Sequence, residues 1–118
     1  MNGPPDGQNI TPPEAKAQVV WLAQNGRVAE ARDLGRALCD AVPSDPEAWF
    51  LLGAIQGQLG DFADAEQCCR NALQYAPQHP ELHYNLGIAL LRQHKIAEAI
   101  ASLRETVSLN PSHAGAWH

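Results

Sequence analysis

Two histidine pairs, a cysteine doublet and two groups of carboxylates are the residues here whose types and spacing could do chemistry. His79 and His83 stand four apart, and His113 and His118 lie near the end. A zinc site needs four ligands, and no acid or cysteine completes either pair at a familiar spacing. His79 also precedes a proline suited to a helix start, so the two imidazoles are not expected to share an exposed face. No metal site is expected. Cys68 and Cys69 are adjacent, and neighbours on a helix point about 100° apart, which disfavours a disulfide between them. Cys69 is expected to fill core as a small hydrophobe. Asp61, Asp64 and Glu66 form one acidic group, and Glu98 with Glu105 a looser one. Both are expected on the solvated face of amphipathic helices. No hydrolase elbow, phosphate-binding loop or dinucleotide fingerprint is present. The chain reads as a non-enzyme without a cofactor.

Composition narrows the classes further. The length of 118 residues suits one domain. Eight Lys+Arg against 13 Asp+Glu leave a formal net charge of -5, the wrong sign for a nucleic-acid backbone or an anionic lipid surface. The longest wholly apolar-plus-glycine run, AWFLLGAI from Ala48 to Ile55, falls far short of the roughly 20 residues of a membrane span. MNGPPDGQNI has neither a basic start nor an apolar core, so no secretory leader is expected. Three cysteines without CxxC spacing make no disulfide framework, and a reducing, cytoplasmic compartment is expected.

The elements that position these residues repeat. Pro12, Pro46 and Pro80 are separated by steps of 34, as are Pro43, Pro77 and Pro111, and Ala31, Ala65 and Ala99. Gly26 and Gly60, and Gly53 and Gly87, keep the same step. Each unit reads as two helices. Thr11-Pro12-Pro13-Glu14 has capping-box spacing, and Asp45-Pro46 pairs a helix cap with a proline suited to the first helical position. Trp49, Leu52 and Ile55 then recur at helical spacing. The pattern predicts helices over 12–25 and 28–41, a helix from Pro46 followed by one near 62–75, and a third pair over 80–93 and 96–109. Residues 1–10 are expected to form a disordered tail.

Helix pairs of 34 residues with this punctuation resemble the tetratricopeptide repeat. The family's large aromatic, Leu, small residue, alanines and closing proline fall on Trp49, Leu52, Gly53, Ala65, Ala72 and Pro77, with Gln56 and Cys69 as departures. The third unit supplies Leu86, Gly87, Leu90, Ala99, Leu103 and Pro111. The first keeps Leu22, Ala31 and Pro43 but carries Ala15, Gln18, Val19 and Gly35 elsewhere, as an end repeat would. The resemblance covers 11–118, in units 12–45, 46–79 and 80–113. The closing HAGAWH starts a fourth over 114–118, with Trp117 as its aromatic. It implies an all-α, right-handed solenoid and a sequence that belongs to a longer array.

The resemblance also implies where a partner would sit. The first helices would line a concave groove with Lys16, Val20 and Gln24, then Glu47, Phe50, Ala54 and Gln58, then Glu81, Tyr84, Asn85, Ile88 and Arg92. Phe50, Tyr84 and Ile88 would form an apolar floor, with Lys16, Gln58 and Arg92 as polar anchors. Such a groove would bind a peptide or protein segment. The carboxylate clamp of chaperone-tail binders finds a match at Lys16 but not at Val20, Leu51, Glu81 or Asn85. The asparagine ladder of glycosyltransferase repeats finds only Asn85. Two readings follow: a non-catalytic interaction module, or the N-terminal scaffold of a larger glycosyltransferase- or sulfotransferase-like enzyme. Ile96, Ile100, Leu103 and Val107 would leave an apolar outer face on the last helix, favouring weak self-association.

Overall fold

Proline sets the start of every helix pair. Helices α1 (Pro12–Gln24), α3 (Pro46–Gln58) and α5 (Pro80–Arg92) each begin on Pro, whose absent N–H would have had no helical partner there. Thr11 completes the capping box: its hydroxyl oxygen accepts from the Glu14 N–H at 3.4 Å, and Glu14 Oε1 accepts from the Thr11 N–H at 3.2 Å. Asp45 caps α3 by accepting from the Glu47 N–H at 3.0 Å. The partner helices are α2 (Val28–Ala41), α4 (Phe62–Leu73) and α6 (Ile96–Leu109). The computed structural model describes residues 10–110, with no strand among the described residues. α1, α2, α5 and α6 fall within a residue of their expected bounds, and α4 ends two residues early. Ile10, expected in the tail, packs on Leu38 and its neighbours instead. The rest of that tail and the start of a fourth unit lie outside the described residues.

Each pair reverses through the same left-handed turn. The N–H groups of Arg27, Asp61 and Lys95 donate to the carbonyls of Leu22, Gln56 and Leu90 at 2.8, 2.8 and 2.9 Å. The residue before each donor has positive φ: Gly26 at 78°, Gly60 at 82° and His94 at 63°. Glycine adopts this conformation freely, whereas an L-residue such as His94 gives up about 1 kcal/mol there.

Pairs then stack in chain order, every helix touching its sequence neighbour, and α1 and α5 touching α3. The result is an elongated solenoid of 48 × 24 × 23 Å. Burial follows the stacking: Val19, Leu22, Ala31 and Ile55 close one apolar cluster across the first and second pairs, and Cys69, Leu86, Leu90 and Ala99 another across the second and third. Each fully buried Leu or Ile contributes about 1.5–3 kcal/mol, which no isolated pair could collect. Leu103, marked by the repeat pattern as a packing residue and also expected on the outer face, folds over Gly87, where even a Cβ would lie 2.8 Å from it. The first unit inverts the sizes: Val19 stands where later units have Gly53 and Gly87, and Gly35 where they have Cys69 and Leu103. Leu52 of the next pair takes the room beside Gly35, 3.3 Å from where a Cβ would stand.

Candidate functional site

Side by side, α1, α3 and α5 present a face with two clefts. The smaller, about 130 Å³, lies between α1 and α3 and is lined by Val19, Val20, Ala23, Gln24, Leu51, Ala54, Ile55 and Gln58. The larger, about 520 Å³, lies between α3, α4 and α5, with Gly57, Phe62, Tyr84, Asn85, Ile88 and Arg92 among its walls. Ala54 and Gln58 line both. The hollow exists because α3 turns the small Ala54 and Gly57 towards it, while Gly53 lets α4 approach behind. A Cβ on Gly57 would meet nothing within 4 Å.

Eight of the twelve groove residues implied by the resemblance line these clefts: Val20, Gln24, Ala54, Gln58, Tyr84, Asn85, Ile88 and Arg92. Lys16, Glu47, Phe50 and Glu81 do not. Lys16, expected as a polar anchor, is committed within the chain: its Nζ lies 2.7 Å from Asp45 Oδ2 and 2.7 Å from Glu47 Oε1. The hydrogen bond with Asp45 is the main reason that the Lys16 pKa rises and the Asp45 carboxyl falls below its usual value. Phe50 faces His79, with ring centroids 6.1 Å apart. Arg92 lies over the Phe62 ring at 5.7 Å and has no carboxylate partner among the described residues. Leu51, Gly57 and Phe62 escaped the sequence reading, although Leu51 stands one 34-residue step before Asn85.

The chemistry-bearing residues serve the scaffold. Among the described residues no three His, Cys, Asp or Glu side chains gather as a metal site. His83 Nε2 bonds the Pro77 carbonyl at 2.7 Å, as Trp49 Nε1 donates to the Pro43 carbonyl at 2.8 Å. Cys39, Cys68 and Cys69 are free and buried, and burial pushes their thiols to about 12, 11 and 12. Glu66, expected on a solvated face, is only 14% exposed and joins the second and third pairs, accepting from Arg70 at 2.9 Å and Lys95 at 3.0 Å. Burial alone would raise its pKa, but hydrogen bonds from Arg70, Lys95 and Gln93 hold it at about 2. A third depression, about 310 Å³, opens between α2 and α4 over Gln56, which is 1% exposed. With its amide oriented to satisfy its neighbours, Gln56 accepts from Arg36 and donates to Asp61, each at 3.1 Å. Gln67 there donates to Asn71. Its polar groups answer one another, whereas Gln24, Gln58, Asn85 and Arg92 on the opposite clefts have no hydrogen-bond partner among the described residues.

Stacked helix pairs with one continuous face define the class as an α-solenoid of tandem helical repeats. The family follows from comparison: tetratricopeptide repeat profiles match residues 12–55 and 50–114, and the chain belongs to the tetratricopeptide repeat family. It is 34% identical over 107 residues to the protein O-mannosyl-transferase TMTC1 of Mus musculus, covering 87% of this chain and 11% of that protein. The chain therefore spans about a ninth of that relative's length. Among solved structures, the first TPR of Spaghetti (RPAP3), bound to an HSP90 peptide, superposes with a TM-score of 0.87 at 23% identity, over 95% of this chain and 87% of that one. The Yersinia enterocolitica type III secretion chaperone SycD, in complex with a peptide of the translocator YopD, gives 0.80 at 20% identity, over 85% and 76%.

Proposed function

We propose that the chain is a non-catalytic module that holds a peptide or protein segment across α1, α3 and α5. The observation that carries this reading is the pair of clefts joined through Ala54 and Gln58, whose Gln24, Gln58, Asn85 and Arg92 side chains have no hydrogen-bond partner among the described residues. The peptide-bound states of Spaghetti and SycD support it by analogy of fold. The internal pairing of Lys16 speaks against capture of a terminal carboxylate by a clamp at that residue. Ala54→Arg should fill the shared wall and weaken capture of the native partner at least about tenfold, a loss of roughly 1.4 kcal/mol, with helicity unchanged. Undiminished capture by a folded Ala54→Arg protein would refute the site.

A second reading draws on the O-mannosyl-transferase relative: the same module serves as the repeat scaffold of a longer glycosyltransferase-like enzyme. Reading the gene on both sides of these 118 codons decides it, since a transferase domain on either side supports it and its absence from both excludes it. A reducing compartment fits three free buried thiols. Finding the protein in the secretory route would overturn that placement.

A further inference from the structure

Resting on the groove reading, the geometry points to the chemistry of the segment held there. We infer that it is an extended, polyproline-II-like stretch with an aliphatic side chain in the α1–α3 cleft. Three residues later a larger apolar side chain fills the α3–α5 cleft, with an adjoining carboxylate on Arg92.

Spacing is the first argument. α1 packs on α3 and α3 on α5, and packed helices lie about 8–10 Å apart, so the two clefts recur at about that distance. A polyproline-II chain advances about 9.3 Å in three residues and returns the third side chain to the same face. A β-strand repeats its face at about 7 and 13 Å, neither of which matches.

Hydrogen bonding separates this conformation from a helix, which also spans about 10.5 Å in seven residues. A helix spends its backbone N–H and C=O groups on itself, whereas an extended chain arrives with them free. Gln24, Gln58 and Asn85 line the clefts with amides that have no partner among the described residues, and such amides suit a free backbone.

Charge sets the third feature. Among the described residues, Arg92 is the single charged one lining either cleft, in a chain whose formal net charge is -5. Lys16, Arg36, Arg70 and Lys95 each have a carboxylate; Arg92 has none among the described residues and rests over Phe62. A planar guanidinium held on a ring accepts a carboxylate with little further ordering.

The test uses the full chain and capped synthetic peptides of sequence Pro-Leu-Pro-Pro-Phe-Glu-Pro, followed by fluorescence anisotropy. Comparison peptides have one or three prolines between Leu and Phe, Gln in place of Glu, or Leu and Phe seven apart on an Ala-rich helix. The two-proline peptide should bind at least about fivefold tighter than each. The Gln peptide should lose about fivefold against the native protein and nothing against Arg92→Gln, the size of one exposed ion pair. Indifference to spacing, an equal Glu preference in Arg92→Gln, tighter binding of the helical peptide, or no binding at all would overturn the inference. If all peptides bind alike yet Ala54→Arg abolishes them, the clefts remain the site and only their ligand is misassigned. If Ala54→Arg leaves every peptide bound, the groove reading falls as well.

Discussion

Glu66 shows how a single side chain joins two repeats. Its carboxylate sits 14% exposed between Arg70 of its own helix and Lys95 of the next pair, and Arg70 reaches on to Glu98 at 3.1 Å. Its folded pKa of about 2 lies below the ordinary 4.5. The stabilisation is therefore fully present above about pH 4.5 and disappears as pH falls towards 2. Glu66→Gln should cost about 1–2 kcal/mol at pH 7, and the gap from the native protein should close over that acid window in urea titrations. A gap that persists at pH 2 would show that the ion pairs are not its origin. Such pairs were invisible in the sequence. Glu66 and Lys95 are 29 residues apart, and their charges alone suggested a solvated face. The pairing of Lys16 is hidden for the same reason, its partners lying on or at the cap of the next pair's first helix. The Trp49 and His83 bonds to their prolines, by contrast, were within reach of the 34-residue step that relates Trp49 to His83 and Pro43 to Pro77.

At the scale of elements, glycine has opposite meanings on the two sides of a first helix. Gly87 lies where α5 and α6 touch, and a Cβ there would stand 2.8 Å from Leu103. Gly57 faces an open cleft. Replacing glycine by alanine inside a helix favours it by about 0.5–1 kcal/mol when space allows. Gly57→Ala should therefore raise the stability of the fold by about that amount, whereas Gly87→Ala should lower it by about 1–3 kcal/mol through overpacking. Thermal unfolding of the two variants measures both signs, and a shift of the same sign in both would contradict this packing. The helices were readable because capping and proline chemistry are local, as Thr11 and Asp45 show. Leu103 was not, since an outward or inward aim depends on whether the facing helix offers a glycine. Neither was the cleft, which arises from what α3 lacks.

Among the described residues, helix contacts run within a pair or to the next pair, so the outermost described helix is packed on one side only. On α6, Ile96 and Ile100 stay 48% and 45% exposed, while Leu103 and Val107 are half-buried. Weak association through the two isoleucines is the expected result. Sedimentation equilibrium should show apparent mass rising with concentration, and Ile96→Glu with Ile100→Glu should suppress the rise. A clean monomer at millimolar concentration would exclude it.

The turn at His94 has a kinetic consequence. Three equivalent amides, those of Arg27, Asp61 and Lys95, each bridge a left-handed residue, but only Lys95 does so across an L-amino acid. Local strain lowers the free energy of opening, so solvent deuterium should enter at Lys95 sooner than at Asp61. His94→Gly should slow that exchange about fivefold, the equivalent of roughly 1 kcal/mol of relieved strain. Equal rates before and after the change would mean that the imidazole sits in this conformation without cost.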